Sequence, residues 1–379
     1  MKKIIIGALM ICLWSGQTSM AYAQENDETA EIETQILSQL DTEELEAIIG
    51  DVFIEDKITF AELLHSVLYS EYEEINEMAY QYIVKQFFYE LSYNRATIIH
   101  ILLLTIFASV FTNFSNAFGS EQIASMGFYI LYLMLLIITL QSFQVIIQDV
   151  TSKVNQILVF MSALCPVYFL TVAISNGTNS AVVFYNLSLL YIYVVELVIL
   201  SVVIPMVNSY VIVEILNYLT TEKRLSKLAK LIKMMIHWVL KIVLAGVIGL
   251  NVIQGLIAPT VDEVQRTIWL KGAESIPVVG DALSGTGEVI LGTMKLIKNG
   301  VGVVGLILCI GITLGPAIQM CLLTFMYKFV AAAVEPISDK RISSCLYSIG
   351  EGCQMLLRII IAVGLLFLIT IALVAATTS

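Results

Sequence analysis

Residues Val301–Phe325 read VGVVGLILCIGITLGPAIQMCLLTF, a run without one charged side chain. The hydrocarbon core of a bilayer is about 30 Å thick and needs roughly 20 apolar residues in a helix. The run meets that length, and so do Ile123–Ile147, Ala181–Val207 and Gln354–Ala376. From Ala96 to Ser379 such runs alternate with short polar joints. Lipid therefore solvates the bulk of the chain. The expected fold class is all-α, a polytopic helical membrane protein of about seven to nine spans with a small N-terminal helical ectodomain.

Composition points the same way. Of 379 residues, 58% are hydrophobic and 13% charged, with a mean hydropathy of +0.87. A soluble protein carries about 25% charge. The net charge of -11 divides unevenly. Residues 24–95 hold 18 of the 31 acidic residues against Lys57, Lys85 and Arg95, a net of -15. Residues 96–379 hold 15 basic and 13 acidic residues, a net of +2. The first segment reads as an acidic, water-facing domain and the second as a near-neutral membrane body. Phosphates repel the acidic segment, which argues against a nucleic-acid partner.

Ahead of both stand Lys2 and Lys3, the apolar Ile4–Trp14 and the small-x-small site Ala21-Tyr22-Ala23. This pattern reads as a signal peptide over residues 1–23, or as an uncleaved first anchor. In either case residues 24–95 end outside the cytoplasm. Within them, Asp41-Thr42-Glu43-Glu44 and Thr59-Phe60-Ala61-Glu62 fit capping boxes. The second opens a helix with Leu64, Val67, Leu68, Ile75, Met78 and Tyr82 as its apolar stripe. The aromatic cluster Tyr80–Tyr93 brings its end to the lipid–water boundary. At about 70 residues the domain is marginal as an independent core and needs a partner or the membrane.

The membrane body, residues 96–379, offers candidate spans at 96–117, 123–147, 157–175, 181–207, 236–258, 301–334 and 354–376. Two runs are too long for one simple span, and each holds a candidate helix break: Pro205 in 181–219, and Gly315 with Pro316 in 301–334. Strict counting places residue 208 outside, yet Lys223, Arg224, Lys227, Lys230 and Lys233 follow, and positive loops prefer the cytoplasm. Either Pro205 divides its run into two crossings, or one earlier segment does not cross. Lys223, Arg224, Lys227, Lys230 and Lys233 share one face of a helix over 222–236, with Leu225, Leu228 and Ile232 opposite, the pattern of a helix lying in the interface. It anchors topology or meets an acidic partner protein.

Residues 259–300 are the longest polar interruption of the second half. Pro259 closes the preceding span. A glycine-rich, membrane-proximal segment follows, in which Pro277, Gly280, Asp281, Ser284, Gly285 and Gly287 mark a re-entrant or partner-binding stretch; irregular backbone at that depth needs protein or a water-filled cavity over it. Glu196 stands well inside an apolar run, where a charge costs roughly 2.5–3.5 kcal/mol on insertion scales, and is a candidate lumen or interhelix residue. Cys345 and Cys353 flank a loop and form a disulfide only if that loop is external.

Enzyme readings fail on their ligands. The three histidines, His65, His100 and His237, include no HExxH pair, no GxSxG elbow occurs, and no GxxxxGK[ST] follows Gly285-Thr286-Gly287. No catalytic, metal or cofactor-binding residue is assigned.

The signal sequence, acidic helical ectodomain and multi-span body with Ser275-Ile276-Pro277-Val278-Val279-Gly280-Asp281-Ala282-Leu283-Ser284-Gly285 resemble the stage III sporulation protein AE family over essentially the whole chain. The resemblance implies a non-enzymatic component of the secretion-like channel joining mother cell and forespore in endospore formers. It implies residence in the outer forespore membrane with an extracytoplasmic N-terminal domain. Its partners would be other stage III A proteins, among them a cytoplasmic ATPase and ring-forming proteins, together with membrane lipid. The residues alone also admit a small-solute permease, motivated by Glu196 and the broken runs.

Overall fold

A computed structural model describes residues 42–52, 59–68, 81, 83–93, 95–96, 99–100, 102–103, 105–107, 110, 121–176, 178–218, 225–273, 284–336 and 338–378. Every regular element among them is helical. The named helices are α1 (Glu43–Val52), α2 (Phe60–Leu68), α3 (Glu121–Asn176), α4 (Thr178–Val198), α5 (Ile204–Asn217), α6 (Ser226–Ala273), α7 (Ser284–Val334) and α8 (Lys340–Thr378). A π-helical turn, Ile199–Val203, joins α4 to α5. Five stretches are long and apolar enough to cross a membrane: Tyr132–Ala173, Tyr185–Asn217, Ser226–Leu250, Leu296–Val334 and Lys340–Ala375. The chain is an all-α, multi-spanning membrane protein.

Four divisions expected from the sequence are absent. The runs 123–147 and 157–175 belong to one helix, α3, of 56 residues. A joint needs a breaker, and between Gly127 and Pro166 there is neither glycine nor proline. The polar stretch in between is tied within the helix: Thr151 Oγ1 donates to the Ile147 carbonyl at 2.7 Å, and Lys153 pairs with Asp149 one turn away at 3.3 Å. Pro205 does not split its run. The π turn widens the helix just ahead of it, with the Ile204 N–H reaching back five residues to the Ile199 carbonyl, and the rod continues to Asn217. Gly315 and Pro316 lie inside an unbroken α7, where the proline removes one donor and packed neighbours hold the rest. Pro259 likewise sits within α6, which runs on to Ala273.

The basic segment is not a separate surface helix. Lys227, Lys230 and Lys233 stand on the first turns of α6, while Lys223 and Arg224 lie outside the described residues. Cys345 and Cys353 do not flank a loop. Both are buried within α8, and both are free.

The bundle has two ends that the contacts define. At the basic end, Arg341 lies over the Tyr129 ring, and Gly352 of α8 receives Val211 of α5 and Phe143 of α3. At the far end, Gly302 and Gly305 of α7 receive Tyr168 and Leu164 of α3. Glycines at these positions let the helices close on one another. Within this chain they serve intramolecular packing. The pair α7–α8 makes the most extensive contact, and α8 is the most enclosed helix, with Leu346, Ile349, Cys353, Leu356, Ile360 and Phe367 fully buried. The outer surface is apolar, with Met234, Trp238 and Ile242 of α6 and Phe325 and Phe329 of α7 exposed, as lipid contact requires.

The acidic N-terminal segment joins this body rather than standing apart. Thr59 N–H donates to Glu62 Oε2 at 3.1 Å and Glu62 N–H to Thr59 Oγ1 at 3.2 Å, the reciprocal capping box that starts α2. Leu64 and Leu68 of α2 then cover Gly300 of α7, so the marginal core of α1 and α2 is completed by the bundle's far end. Ile75 and Met78 of the expected stripe lie outside the described residues, as do residues 1–41 with the expected signal peptide and Asp41 of the first capping box.

Candidate functional site

Ionisable groups in a lipid-solvated bundle are costly and need partners, so their placement marks the candidate site. They gather in two clusters. The first crosses α3, α7 and the helical residues 83–93. Gln319 of α7 donates from Nε2 to Asp149 Oδ2 at 2.8 Å and accepts from Lys153 Nζ. Lys153 also lies 3.8 Å from Glu90 Oε1, and Gln86 Nε2 donates to that same oxygen at 3.1 Å. Glu90 is 2% exposed, whereas Phe87, Phe88, Tyr89 and Tyr93 around it are exposed. Residues 83–93 thus turn their carboxylate to the bundle and their rings outward, the reverse of a helix in water.

The second cluster lies at the basic end. Lys233 of α6 pairs with Glu351 of α8 at 2.8 Å, and the other oxygen of Glu351 accepts from the Tyr210 hydroxyl of α5 at 2.5 Å. The Lys233 ammonium also stands 5.8 Å from the Tyr210 ring centroid. One turn on, His237 Nδ1 meets the Lys233 carbonyl at 2.7 Å and its Nε2 meets the Arg358 guanidinium. A carbonyl only accepts and a guanidinium only donates, so these two partners suit the tautomer that carries a proton on Nδ1. Lys328 of α7 donates to Gln354 Oε1 at 2.6 Å and lies 5.2 Å over the Tyr347 ring. The cluster ties α5, α6, α7 and α8 together. At this end Asn217 Oδ1 accepts from the Leu225 N–H at 3.0 Å, which fixes the joint between α5 and α6.

The sequence candidates fall elsewhere. Glu196 is half-buried on α4, three residues before the π turn, and has no ion-pair or hydrogen-bond partner among the described residues. The structure does not bring it to either cluster. Pro277, Gly280 and Asp281 lie outside the described residues, and Ser284, Gly285 and Gly287 stand on the first turn of α7 with helical backbone. Of the basic set, only Lys233 enters a cluster; Lys227 and Lys230 are exposed. Sequence reasoning did not single out Asp149, Lys153, Gln319, Lys328, Glu351 or Arg358. Their signal was present: each is a polar or charged residue on a helix otherwise made of apolar runs. Among the described residues no group of three or more His, Cys, Asp or Glu is placed to hold a metal ion.

These features define a polytopic helical membrane protein with charge networks between its helices. The chain belongs to the stage III sporulation protein AE family, whose model matches residues 58–378. It is 27% identical over 288 residues to the stage III sporulation protein AE of Bacillus subtilis (strain 168), an alignment covering 76% of this chain and 72% of that protein. No solved structure matches it.

Proposed function

We propose that this protein is a structural membrane component of the secretion-like channel complex between mother cell and forespore, required for development after engulfment. It sits in the outer forespore membrane with its N-terminal segment outside the cytoplasm. Its partners are the other stage III A proteins, with a cytoplasmic ATPase supplying the energy, because no nucleotide-binding motif occurs in this chain. The observation that carries the reading is family membership over residues 58–378.

The bundle supports the orientation. The Gly300 contact holds α2 at one end of α7, and Lys328 with the Lys233–Glu351 pair marks the other. From Gly300 to Lys328 a helix rises about 42 Å, more than a hydrocarbon core. With α2 outside, the lysines of α6 face the cytoplasm, as the positive-inside rule asks. The continuous α3 is the segment that removes one crossing from the count.

The test is a deletion strain, expected to complete engulfment, stall and give no spores. Normal spore yield overturns the role. Orientation is read separately by Ala61→Cys and Lys230→Cys with a membrane-impermeant maleimide. Position 61 is expected to label from outside and position 230 only after permeabilisation. Labelling of both from one side defeats the orientation. A small-solute permease is the second reading, favoured by the cluster of Glu90, Asp149, Lys153 and Gln319 inside the bundle. It requires solute flux in reconstituted vesicles that Glu196→Gln or Lys153→Met abolishes.

A further inference from the structure

We infer that the basic end of the bundle carries a specific site for the phosphate headgroup of an anionic phospholipid, centred on Lys328 with Arg358 beside it. The inference goes beyond the assembly role and stands independently of it.

The first observation is a charge imbalance. Lys233 of α6 and Lys328 of α7 meet α8, which carries Arg358, and Glu351 is the carboxylate among them. Glu351 is already shared between Lys233 and the Tyr210 hydroxyl. Glu214, the acid of α5 at this end, accepts from the Tyr218 hydroxyl at 3.1 Å. Lys328 acts on the charge of Glu351 from a distance, but its hydrogen bond goes to a neutral amide. Arg358 meets the imidazole of His237, not a carboxylate. Neither cation is ion-paired among the described residues. Both are half-buried within apolar spans. A cation removed from water without a counter-charge is costly, so the site calls for an anion from outside the chain.

The second observation says which anion. Lys328 stands beside an exposed apolar surface. Phe325 and Phe329, spaced one turn apart on the same side of α7, are stacked at 5.9 Å between centroids and are 65% and 59% exposed. Tyr347, beneath the Lys328 ammonium, is 48% exposed. A cation flanked by outward-facing rings within an apolar span suits a headgroup whose acyl chains run along Phe325 and Phe329. A free phosphate would find the charge but would leave those rings unused. Gln354 and Arg358 are one turn apart on α8, which brings the second cation to the same side of that helix. The exposed Lys227 and Lys230 add long-range attraction for an anionic leaflet without lining the site.

The experiment uses the full-length protein in mild detergent, offered mixed micelles of phosphatidylcholine and phosphatidylglycerol, with retained lipid counted by mass. The expected result is a preference for phosphatidylglycerol of about tenfold, the size of one charge-assisted contact. Lys328→Gln and Arg358→Gln each reduce it strongly, and Lys328→Arg keeps it. The surface double variant Lys227→Gln with Lys230→Gln leaves it in place. Equal retention of the two lipids by the wild-type protein overturns the inference and needs no variant to fold. Displacement by free glycerol phosphate at comparable concentration shows an anion site that is not a lipid site. Loss of selectivity only in the Lys227/Lys230 variant moves the effect to the surface and defeats the location. Binding of an acidic peptide without any headgroup preference replaces the lipid by a protein partner.

Discussion

Gly352→Ala tests whether the glycines or the charges hold the basic end together. Gly352 lies where α8 meets α3 and α5. A β-carbon there would stand 2.5 Å from Val211 Cγ2 and 2.8 Å from Phe143 Cε2 and Cζ, whereas carbon atoms settle at about 3.5–4.0 Å. Val211 is β-branched and stiff, and Phe143 is fully buried, so neither gives way easily. Overpacking of this kind costs about 1–3 kcal/mol. The better helix propensity of alanine returns up to about 1 kcal/mol. The expected net loss is about 1–2 kcal/mol. The control is Gly246→Ala in α6, where nothing lies within 4 Å of the added carbon; it is expected to stabilise by up to about 1 kcal/mol. Unfolding of purified protein by increasing SDS in mixed micelles, followed by circular dichroism, gives both values. Val211→Ala combined with Gly352→Ala makes room for the new carbon and is expected to be less damaging than the sum of the two. A Gly352→Ala protein as stable as wild type, or strict additivity with Val211→Ala, refutes the close-approach argument.

Lys153→Met removes a cation that Glu90 and Asp149 share and is expected to cost about 3 kcal/mol; Glu90→Gln in the same chain recovers part of it in the same assay, and no recovery would separate the two residues. Thr59 holds the Glu62 carboxyl below the usual carboxylate range through its backbone N–H and its hydroxyl. Because the folded pKa is the lower one, this stabilisation is complete above the ordinary glutamate pKa and fades as pH falls through the folded value. Amide protection of α2 is expected to drop on acidification with a step that Glu62→Gln abolishes; an identical step in both proteins removes the cap from the account. Gly300→Val presses on Leu64 and Leu68 at 2.8 Å for the first added carbon. It is expected to loosen α2, read as faster proteolysis near residue 59 with the bundle intact. Cys345 and Cys353 are free, so the full-length protein should migrate identically with and without reductant.

The membrane class was legible because apolar run length answers to one physical constraint, the thickness of hydrocarbon. The capping box at Thr59 and Glu62 was legible because it is a contact between residues three apart. Span boundaries were less so. The polar stretch around Asp149 and Lys153 reads as a surface joint when each charge is assumed to seek water. It is a half-buried part of one continuous helix because Gln319 and Glu90, far away in sequence, supply the partners. Pro205 and Pro316 were read as breaks from their local chemistry, but a π turn and tertiary packing absorb the missing donors. Glu196 drew notice as an isolated charge. Lys328, Glu351 and Arg358 carry the opposite lesson, since each becomes informative only once α8 places it against another helix.

The length of α6 has a mechanical consequence. Its 48 residues make a rod of about 72 Å, of which Ser226–Leu250 is the apolar portion that fits a bilayer. Residues 251–273 extend it by about 35 Å. The strand of chain returning through α7 is helical from Ser284, ahead of its own apolar portion at Leu296. Such a mast, rooted among spans that clasp one another through Gly302 and Gly352, can transmit a push or a tilt from beyond the lipid to the charged foot of the bundle without bending at a loop.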